Sequence, residues 1–439
     1  MRRRIGRPTS WALTALLVLV PSGPGLAGAP AFWPAVRSSV GFTVRVAPGI
    51  RYGRYALRTS SGPLSIHHLR LDLGNPEVRL GVALAHNRLI SGDETVSSMV
   101  KRTGALAGIN GDYFDIGDSG MPLNILVQEG RLLRSPSGWA SLAVGSDGRP
   151  RIVRYAWHGS LLLPSTGATH WVSGFNTGTI PNGLTVLSMA RGYGAPPPSP
   201  GTRQTVVEVV PDDASSVSPD GSAADFAAPP ARSEAPLYRA KAVWPQQAYY
   251  APFPRGTLLL VGRGRAADWL QQNVTPDTSV RVDLATDPDW RSADAVIGGG
   301  PVLVQNGRRV EDPHSPVPNE RFRRNPVTAA GISADGRTLL LVSVDGRQPR
   351  LSVGLTQPQL AAYMQWLGAD QAMEFDSGGS VTMAVRLPGR AAPVVVNSPS
   401  DGHERAVANA LLVFRAPVGT PPANGPRHAL ACEGVCLGN

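Results

Sequence analysis

The strongest structural signal in the 439-residue sequence is Met373-Glu374-Phe375-Asp376-Ser377-Gly378-Gly379-Ser380-Val381-Thr382-Met383. A short apolar run leads to an aspartate, which is followed by two glycines and three hydroxyl side chains. Because glycine has no Cβ, the backbone at Gly378 and Gly379 can adopt positive φ and come close to a ligand. A carboxylate beside hydroxyls and backbone N–H groups suits sugar hydroxyls or phosphate oxygens. A glycine turn with an exposed aspartate is the alternative interpretation of this stretch alone.

Two parts of the chain share one order of elements: a helix, a glycine that ends it, an apolar strand and a polar turn. The first helix is predicted at 93–102, with Ser91 as its cap and Gly104 at its end. The second follows Thr356 and ends at Gly368. Their strands lead to the sequence NGDYFD at 110–115 and to the aspartate of the motif above. We therefore expect the two turns to line one pocket.

Alternating apolar and polar residues recur from residue 66 to residue 414, with few helical segments between them. This pattern predicts an α+β fold with a strand-rich mixed sheet core and a few short helices. We expect a single domain at 64–415, preceded by a lead-in at 32–63. Residues 211–236 are dense in Asp, Ser, Ala and Pro and are predicted to form an insertion loop.

The N-terminus has the pattern of a secretory signal peptide at 1–31. Four arginines precede an apolar run at 11–20, and a stretch of small residues follows. The run is short for a membrane span, although an uncleaved anchor is the alternative. No later segment is long and apolar enough to cross a membrane, so we expect a secreted, extracellular protein. In that setting Cys432 and Cys436, in the tail at 416–439, are predicted to form a local disulfide.

The charge of the chain is moderately basic, with 42 Lys and Arg against 32 Asp and Glu. Four of the arginines lie in the predicted signal peptide. The remaining excess favours anionic cell-wall polymers or phosphorylated sugars as partners, while an ordinary solvated surface is the alternative. No basic run is interleaved with aromatic residues, so binding to nucleic acid is not expected.

Six short motifs occur in one order along the chain. They are NGDYF at 110–114, IGGGP at 297–301, NPVTAAG at 325–331, VDGR at 344–347, DSGGS at 376–380, and Glu404-Arg405 with VANA at 407–410. In this order the sequence resembles the phosphodiester glycosidase family from about residue 66 to 414, less closely between about 150 and 288. Two departures stand out. Val327 occupies a place where the family usually has arginine, a contact that Arg323 or Arg324 would have to replace, and Ser377 occupies the place of a glycine.

The resemblance implies which residues carry the chemistry. Cleavage of a glycoside commonly uses two carboxyl groups, and arginines or backbone N–H groups can stabilise a phosphate leaving group. The implied catalytic residues are Asp376, Glu404 and Asp112. The implied substrate-binding residues are Asn110, Arg405, Arg347, Gly299, Gly300, Thr328, Gly378, Gly379, Ser380 and Asn409. For Asn110 and Asn409, satisfying buried backbone groups is the alternative role.

The sequence shows no zinc or P-loop spacing, so no cofactor is expected. A calcium ion held by Asp112, Asp115 or Asp118 is the one exception considered. The expected function is that of a secreted hydrolase that cleaves sugar-1-phosphodiester linkages in cell-wall or extracellular glycans. Two alternatives stay open: a non-catalytic carbohydrate-binding or wall-associated module, which the departures at Val327 and Ser377 keep in view, and a metal-dependent phosphodiesterase.

Overall fold

The computed structural model describes residues 34–90, 92–191, 194–198, 200–212, 235–249 and 256–416. The predicted signal peptide, Ser91, most of the 211–236 insertion and the tail with its two cysteines lie outside these residues.

The strands of the N-terminal half are β1 Val36–Ala47, β2 Ile50–Thr59, β3 Gly62–Asp72, β4 Val78–Leu84, β5 Ala107–Asn110, β6 Leu126–Gln128, β7 Arg131–Arg134, β8 Ala140–Gly145, β9 Pro150–Arg154, β10 Ala156–Trp157, β11 Ser160–Leu163, β12 Ala168–Trp171, β13 Gly174–Phe175 and β14 Leu184–Ser188. Those of the C-terminal half are β15 Gln204–Pro211, β16 Leu237–Pro245, β17 Leu258–Arg263, β18 Ser279–Asp283, β19 Thr286–Asp287, β20 Ala293–Gly298, β21 Val302–Gln305, β22 Arg308–Arg309, β23 Val327–Ile332, β24 Thr338–Val344, β25 Gln371–Glu374, β26 Met383–Val385, β27 Val394–Val395 and β28 Asn409–Arg415. The α-helices of the described residues are α1 Val96–Thr103, α2 Arg265–Asn273 and α3 Gln357–Trp366.

The fold is mostly β, with 12% of residues in helices and 45% in strands. The predicted strand-rich core is confirmed, but the fold is mostly β rather than α+β. Each predicted helix is only two to three turns long and covers part of a sheet, so the helices do not make a layer of their own.

The strands form two sheets of eight, two of five and one of two. The sheet that positions the candidate site has the order β1-β2-β3-β24-β23-β25-β21-β22. A five-stranded sheet with the order β27-β26-β5-β28-β4 lies beside it. The region at 32–63, predicted only as a lead-in, forms the β1–β2 hairpin, which pairs with β3 at one edge of the larger sheet.

The main hydrophobic core joins these sheets. Leu69 and Phe375 of the large sheet, Ile109 and Leu411 of the β5 sheet, and Ile297 of β20 belong to one buried cluster. Each of these side chains is almost fully buried. Burying a side chain of this size stabilises the fold by about 1.5–3 kcal/mol, so this core fixes how the two sheets approach each other. No helix among the described residues is long and apolar enough to cross a membrane.

Three of the four predicted helix ends form as expected, and the predicted start of the first helix at 93 is wrong. Helix α1 begins at Val96, because Thr95 caps it by accepting a hydrogen bond from Ser98 N, and it ends at Gly104 with φ of 73°. Helix α3 begins with a capping box between Thr356 and Gln359. Gly368, with φ of 90°, follows it. Both helix–glycine–strand units therefore form, the first with a shorter N-terminal end than predicted.

Candidate active site

The turns after β5 and β25 lie against each other. Asp376 N donates a hydrogen bond to Gly111 O at 2.9 Å. Asn110 Nδ2 donates to Asp376 O at 2.7 Å. These two bonds hold the NGDYF and DSGGS motifs together, so the two turns are adjacent, and the pocket expected between them stays a prediction.

Two buried asparagines hold this arrangement. Asn110 Oδ1 accepts hydrogen bonds from Thr328 Oγ1 at 2.9 Å and from Thr382 N at 3.1 Å. Asn409 Oδ1 accepts one from Asp112 N at 2.9 Å. The oxygens of both asparagines thus satisfy buried groups of neighbouring strands and turns. Asn409 Nδ2 is buried and has no hydrogen-bond partner among the described residues, and the substrate-binding role of Asn409 stays a prediction.

Three carboxyl groups meet at this place, and burial raises the pKa of each. Burial raises the pKa of Asp112 to about 7, and nearby Asp376 adds to the rise while Asn124 N and Arg134 oppose it. Burial raises the pKa of Asp376 to about 6, against hydrogen bonds from Ser380 and Ser377 N and the charge of Arg405. Of these two acids, Asp376 is therefore the more readily ionised at neutral pH.

The third carboxyl group is that of Glu374, which the sequence reasoning missed. Burial raises its pKa to about 8, and the charge of Asp376 raises it further. The residue is only 2% exposed. Its Oε2 has no hydrogen-bond partner among the described residues. Glu374 is therefore protonated at neutral pH, beside an aspartate that is mostly ionised. Its position in the apolar run before Asp376 was the available signal, because a charged residue in a buried strand requires an explanation.

Tyr113 joins this group of acids. Its pKa lies well above the usual value because of burial and because Glu374, Asp376 and Asp112 all lie close enough to repel a phenolate. Its ring packs edge-on to Trp139, with the ring centroids 6.3 Å apart. Tyr113 therefore stays a neutral hydroxyl that can donate a hydrogen bond. We call Asp112, Tyr113, Glu374 and Asp376 the acidic cluster.

Two arginines lie beside the acidic cluster. Arg405 contacts Ser380 Oγ at 3.5 Å and is paired with Asp401 at 2.6 Å. Arg347 donates to Asn325 Oδ1 at 3.1 Å and adopts a positive φ of 57°. Such a backbone conformation is uncommon for a residue with a side chain and often marks a functional site. The predicted substrate-binding arginines are thus both brought to the cluster.

The predicted glycines are required by close packing. A Cβ at Gly379 would overlap Nη2 of Arg405. Gly378 has φ of 70°, and a Cβ there would lie 3.0 Å from Nη2 of Arg347. Both arginines therefore lie directly over the glycine turn, where only a residue without a side chain leaves them room.

The other two predicted glycines lie next to Glu374. Gly300 N donates to Glu374 O at 2.8 Å. A Cβ at Gly299 would lie 2.6 Å from Met373 Cε and 2.9 Å from Glu374 O. These glycines allow β21 to approach the strand that carries the buried glutamate, so the structure gives them a packing role, and their binding role stays a prediction.

Glu404 contacts helix α1 through both of its carboxylate oxygens. Its Oε1 accepts a hydrogen bond from Ser97 N at 2.8 Å, and its Oε2 accepts one from Ser97 Oγ at 2.5 Å. Both carboxylate oxygens are therefore used at the N-terminus of α1, where an anion is stabilised. Its catalytic role stays a prediction, but these contacts show that it orders the segment that carries Arg405.

The family departure at Val327 has a clear structural setting. Val327 is buried in the core between the large sheet and α3. Arg323 pairs with Glu320, and Arg324 donates to Gly354 O. The arginines that approach the glycine turn are instead Arg347 and Arg405. As for the calcium site considered above, no group of three or more His, Cys, Asp or Glu suited to a metal occurs within the described ranges.

With this geometry in place, a comparison with family models is informative. A model described as phosphodiester glycosidase matches residues 250–414. The resemblance to this family is thereby confirmed over the part of the chain that carries five of the six motifs. The sixth motif, NGDYF at 110–114, lies outside the matched residues, yet it is bound directly to the matched DSGGS turn. A comparison with curated proteins finds no match.

Solved structures share the fold. A hypothetical protein from Synechocystis is 18% identical with a TM-score of 0.67, over 86% of this chain and 64% of that chain. This chain therefore spans less than two thirds of that protein. A protein from Burkholderia pseudomallei that is named as an exported protein is 22% identical, with a TM-score of 0.67, over 89% of this chain and 98% of that chain. The zebrafish N-acetylglucosamine-1-phosphodiester alpha-N-acetylglucosaminidase catalytic domain, auto-inhibited by its pro-peptide, is 15% identical over 88% of this chain and 86% of that chain, and its TM-score of 0.39 is too low to support a conclusion.

Proposed function

We propose that this protein hydrolyses glycosyl phosphodiesters at the anomeric carbon, after export from the cell. The observation that carries the proposal is the acidic cluster, in which a protonated glutamate and a mostly ionised aspartate lie together beneath two arginines. Pairs of carboxyl groups whose pKa values are separated by their surroundings are typical of glycosidase sites. The family match over residues 250–414 supports the same reaction class.

In the proposed reaction, water attacks the anomeric carbon and the bond from that carbon to the phosphate oxygen breaks. The electron pair of that bond goes to the phosphate oxygen, so the products are a free sugar and a phosphomonoester. Asp376 is the general base that accepts the proton of the attacking water, because its partly exposed carboxylate has the lowest pKa of the cluster. Glu374 holds the proton that can be transferred within the cluster.

The two arginines would bind the phosphate of the substrate. A guanidinium group can donate two parallel hydrogen bonds to phosphate oxygens. Arg405 and Arg347 approach the same glycine turn from different segments of the chain, so a phosphate placed above that turn would meet both. Charge that develops on the leaving phosphate oxygen would be stabilised by these fixed donors. This is why a strong acid is less necessary here than for an ordinary glycoside.

Export and an extracellular glycan as substrate are part of the proposal. They are supported by the signal-peptide pattern at 1–31 and by the name of the Burkholderia pseudomallei protein, whose fold is shared. Detection of the mature chain in culture medium or the cell envelope, starting after residue 31, would test this part separately.

The reaction is tested by incubating the purified protein with a panel of glycosyl phosphodiesters and identifying the products. We expect free sugar and phosphomonoester. Release of sugar phosphate would instead identify a phosphodiesterase, and loss of that activity with a chelator would identify it as metal-dependent. Binding of glycans without any release would favour the non-catalytic module.

The Asp376→Asn variant tests the residue assignment. Removing the ionised carboxylate should reduce kcat by roughly a hundredfold or more, which corresponds to at least about 3 kcal/mol of transition-state stabilisation. Asp335→Asn is a matched control, because Asp335 is an exposed aspartate in a turn outside the cluster. Turnover of Asp376→Asn near that of the control would remove Asp376 from the mechanism.

A further inference from the structure

The N-terminal edge of the large sheet is strongly basic. Strands β1, β2 and β3 and their turns contain six arginines, at positions 37, 45, 51, 54, 58 and 70, and no acidic residue precedes Asp72 in this part of the chain. All six arginines are exposed. This is a much greater charge imbalance than in the chain as a whole.

Three of these arginines form a row across neighbouring strands. Arg45 of β1 pairs directly with Arg51 of β2. Arg51 pairs directly with Arg70 of β3. Residues that are directly opposite in adjacent strands lie on the same face of the sheet. With strands about 4.8 Å apart, the row extends about 10 Å across the sheet. We call Arg45, Arg51 and Arg70 the arginine row.

The arginine row is not explained by the fold. Like charges directly opposite each other destabilise a sheet. None of the three forms an ion pair with any described residue, and Arg70 donates only to Thr338 Oγ1 at 3.3 Å. Asp72, the acid that follows on β3, accepts a hydrogen bond from Gly74 N instead. Three exposed charges of one sign, without an ion-pair partner among the described residues, make a surface that attracts anions.

The arginine row is separate from the candidate active site. Arg70 pairs with Leu340 near the start of β24, whereas Asp345 and Arg347 follow the other end of that strand. At about 3.4 Å for each residue of an antiparallel strand, Leu340 and Asp345 are roughly 17 Å apart along the sheet. Helix α3 packs on the same face through Leu360 and Met364 and reaches β3 through the contact of Tyr363 with His68, but Arg45, Arg51 and Arg70 remain exposed. A single small substrate at the acidic cluster would not reach the row.

We propose that the arginine row is an accessory binding site for a linear polymer of phosphodiesters, which holds the substrate chain while its glycosyl phosphodiester linkages reach the acidic cluster. The nature of the ligand rests on the proposed function. A polymer fits better than a small anion because the row is exposed and extends across three strands, and because evenly spaced phosphates can neutralise all three arginines at once.

The proposal is tested with poly(glycerol phosphate), which has the repeated phosphates but no glycosidic bond to cleave. Its binding therefore reports on the row and not on turnover. We expect the Arg45→Gln, Arg51→Gln, Arg70→Gln triple variant to bind this polymer roughly tenfold more weakly at low salt. The wild-type affinity should fall steeply with added salt, and that of the variant only weakly. Polyglutamate of equal charge and duplex DNA serve as comparison ligands.

The matched control is the triple variant Arg58→Gln, Arg149→Gln, Arg265→Gln, which removes the same charge from exposed positions. Arg58 lies on the opposite face of the same hairpin, and the other two lie elsewhere. Equal loss of binding in both triple variants, or binding of polyglutamate or DNA as tight as that of poly(glycerol phosphate), would overturn the proposal. So would unchanged binding in the row variant.

A second measurement protects the test against a variant that fails to fold. Because Arg51 is repelled from both sides, the single change Arg51→Gln should raise the unfolding midpoint while it weakens polymer binding. A lower midpoint with unchanged binding would contradict the proposal. Turnover of a small glycosyl phosphodiester should be the same in wild type and row variants. If wild type turns over no such substrate but binds the polymer through the row, the proposed function fails and the accessory site stands.

Discussion

Replacing Glu374 by glutamine gives a quantitative prediction about stability and pH. The pKa of Glu374 is raised from 4.5 to about 8 by burial. Each pKa unit corresponds to about 1.4 kcal/mol. The fold with Glu374 ionised is therefore less stable than the fold with Glu374 protonated by on the order of 5 kcal/mol, relative to the unfolded chain. Because the pKa is raised, the stability present below about pH 4.5 is lost as the pH rises to about 8. Glutamine does not titrate and so avoids this loss.

The free energies of unfolding of wild type and Glu374→Gln should therefore diverge with pH. We expect the variant to gain on the wild type by about 1.4 kcal/mol for each pH unit between about 4.5 and 8, with a constant difference above that range. Urea unfolding followed by tryptophan fluorescence at several pH values measures this directly. Asp335→Asn is the control for removal of an exposed carboxylate. Parallel pH dependences of Glu374→Gln and wild type would refute a buried, protonated glutamate at this position.

Three further predictions concern activity. The rate of hydrolysis should rise with pH through about 6, as Asp376 ionises, and fall above about 8, as Glu374 loses its proton. A flat pH–rate profile between about pH 5 and 9 would contradict these assignments. Glu404→Gln should weaken the N-terminal contact of α1 and lower stability by about 1 kcal/mol with kcat changed less than tenfold; a hundredfold loss of kcat at unchanged stability would instead make Glu404 a catalytic residue. Gly379→Ala should displace Arg405 and raise KM for a glycosyl phosphodiester at least tenfold, and an unchanged KM would show that Arg405 does not bind the phosphate.

Local signals in the sequence predicted the elements that build the site. The caps at Thr356 and Gly104 and the glycine turn at Gly378 are set by residues within a few positions of each other, so their chemistry can be read directly. The convergence of the NGDYF and DSGGS motifs also follows from the repeated order of elements, and the hydrogen bond from Asn110 to Asp376 confirms it.

What the sequence did not predict depends on long-range packing. In the sequence Glu374 is one polar residue in an apolar run. Only the folded structure shows that it is buried close to two aspartates. The contact of Glu404 with Ser97 likewise joins residues that are far apart in the chain. The arginine row likewise depends on strand register, because Arg45, Arg51 and Arg70 become neighbours only when three strands pair in one alignment.

The central claim is that the acidic cluster promotes cleavage between the anomeric carbon and the phosphate oxygen. Hydrolysis of a glycosyl phosphodiester in ¹⁸O-labelled water tests this claim most directly, with the products separated and weighed by mass spectrometry. The label should be found in the released sugar, and the phosphomonoester should carry none. Label in the phosphate would mean that the P–O bond is broken and would contradict the account.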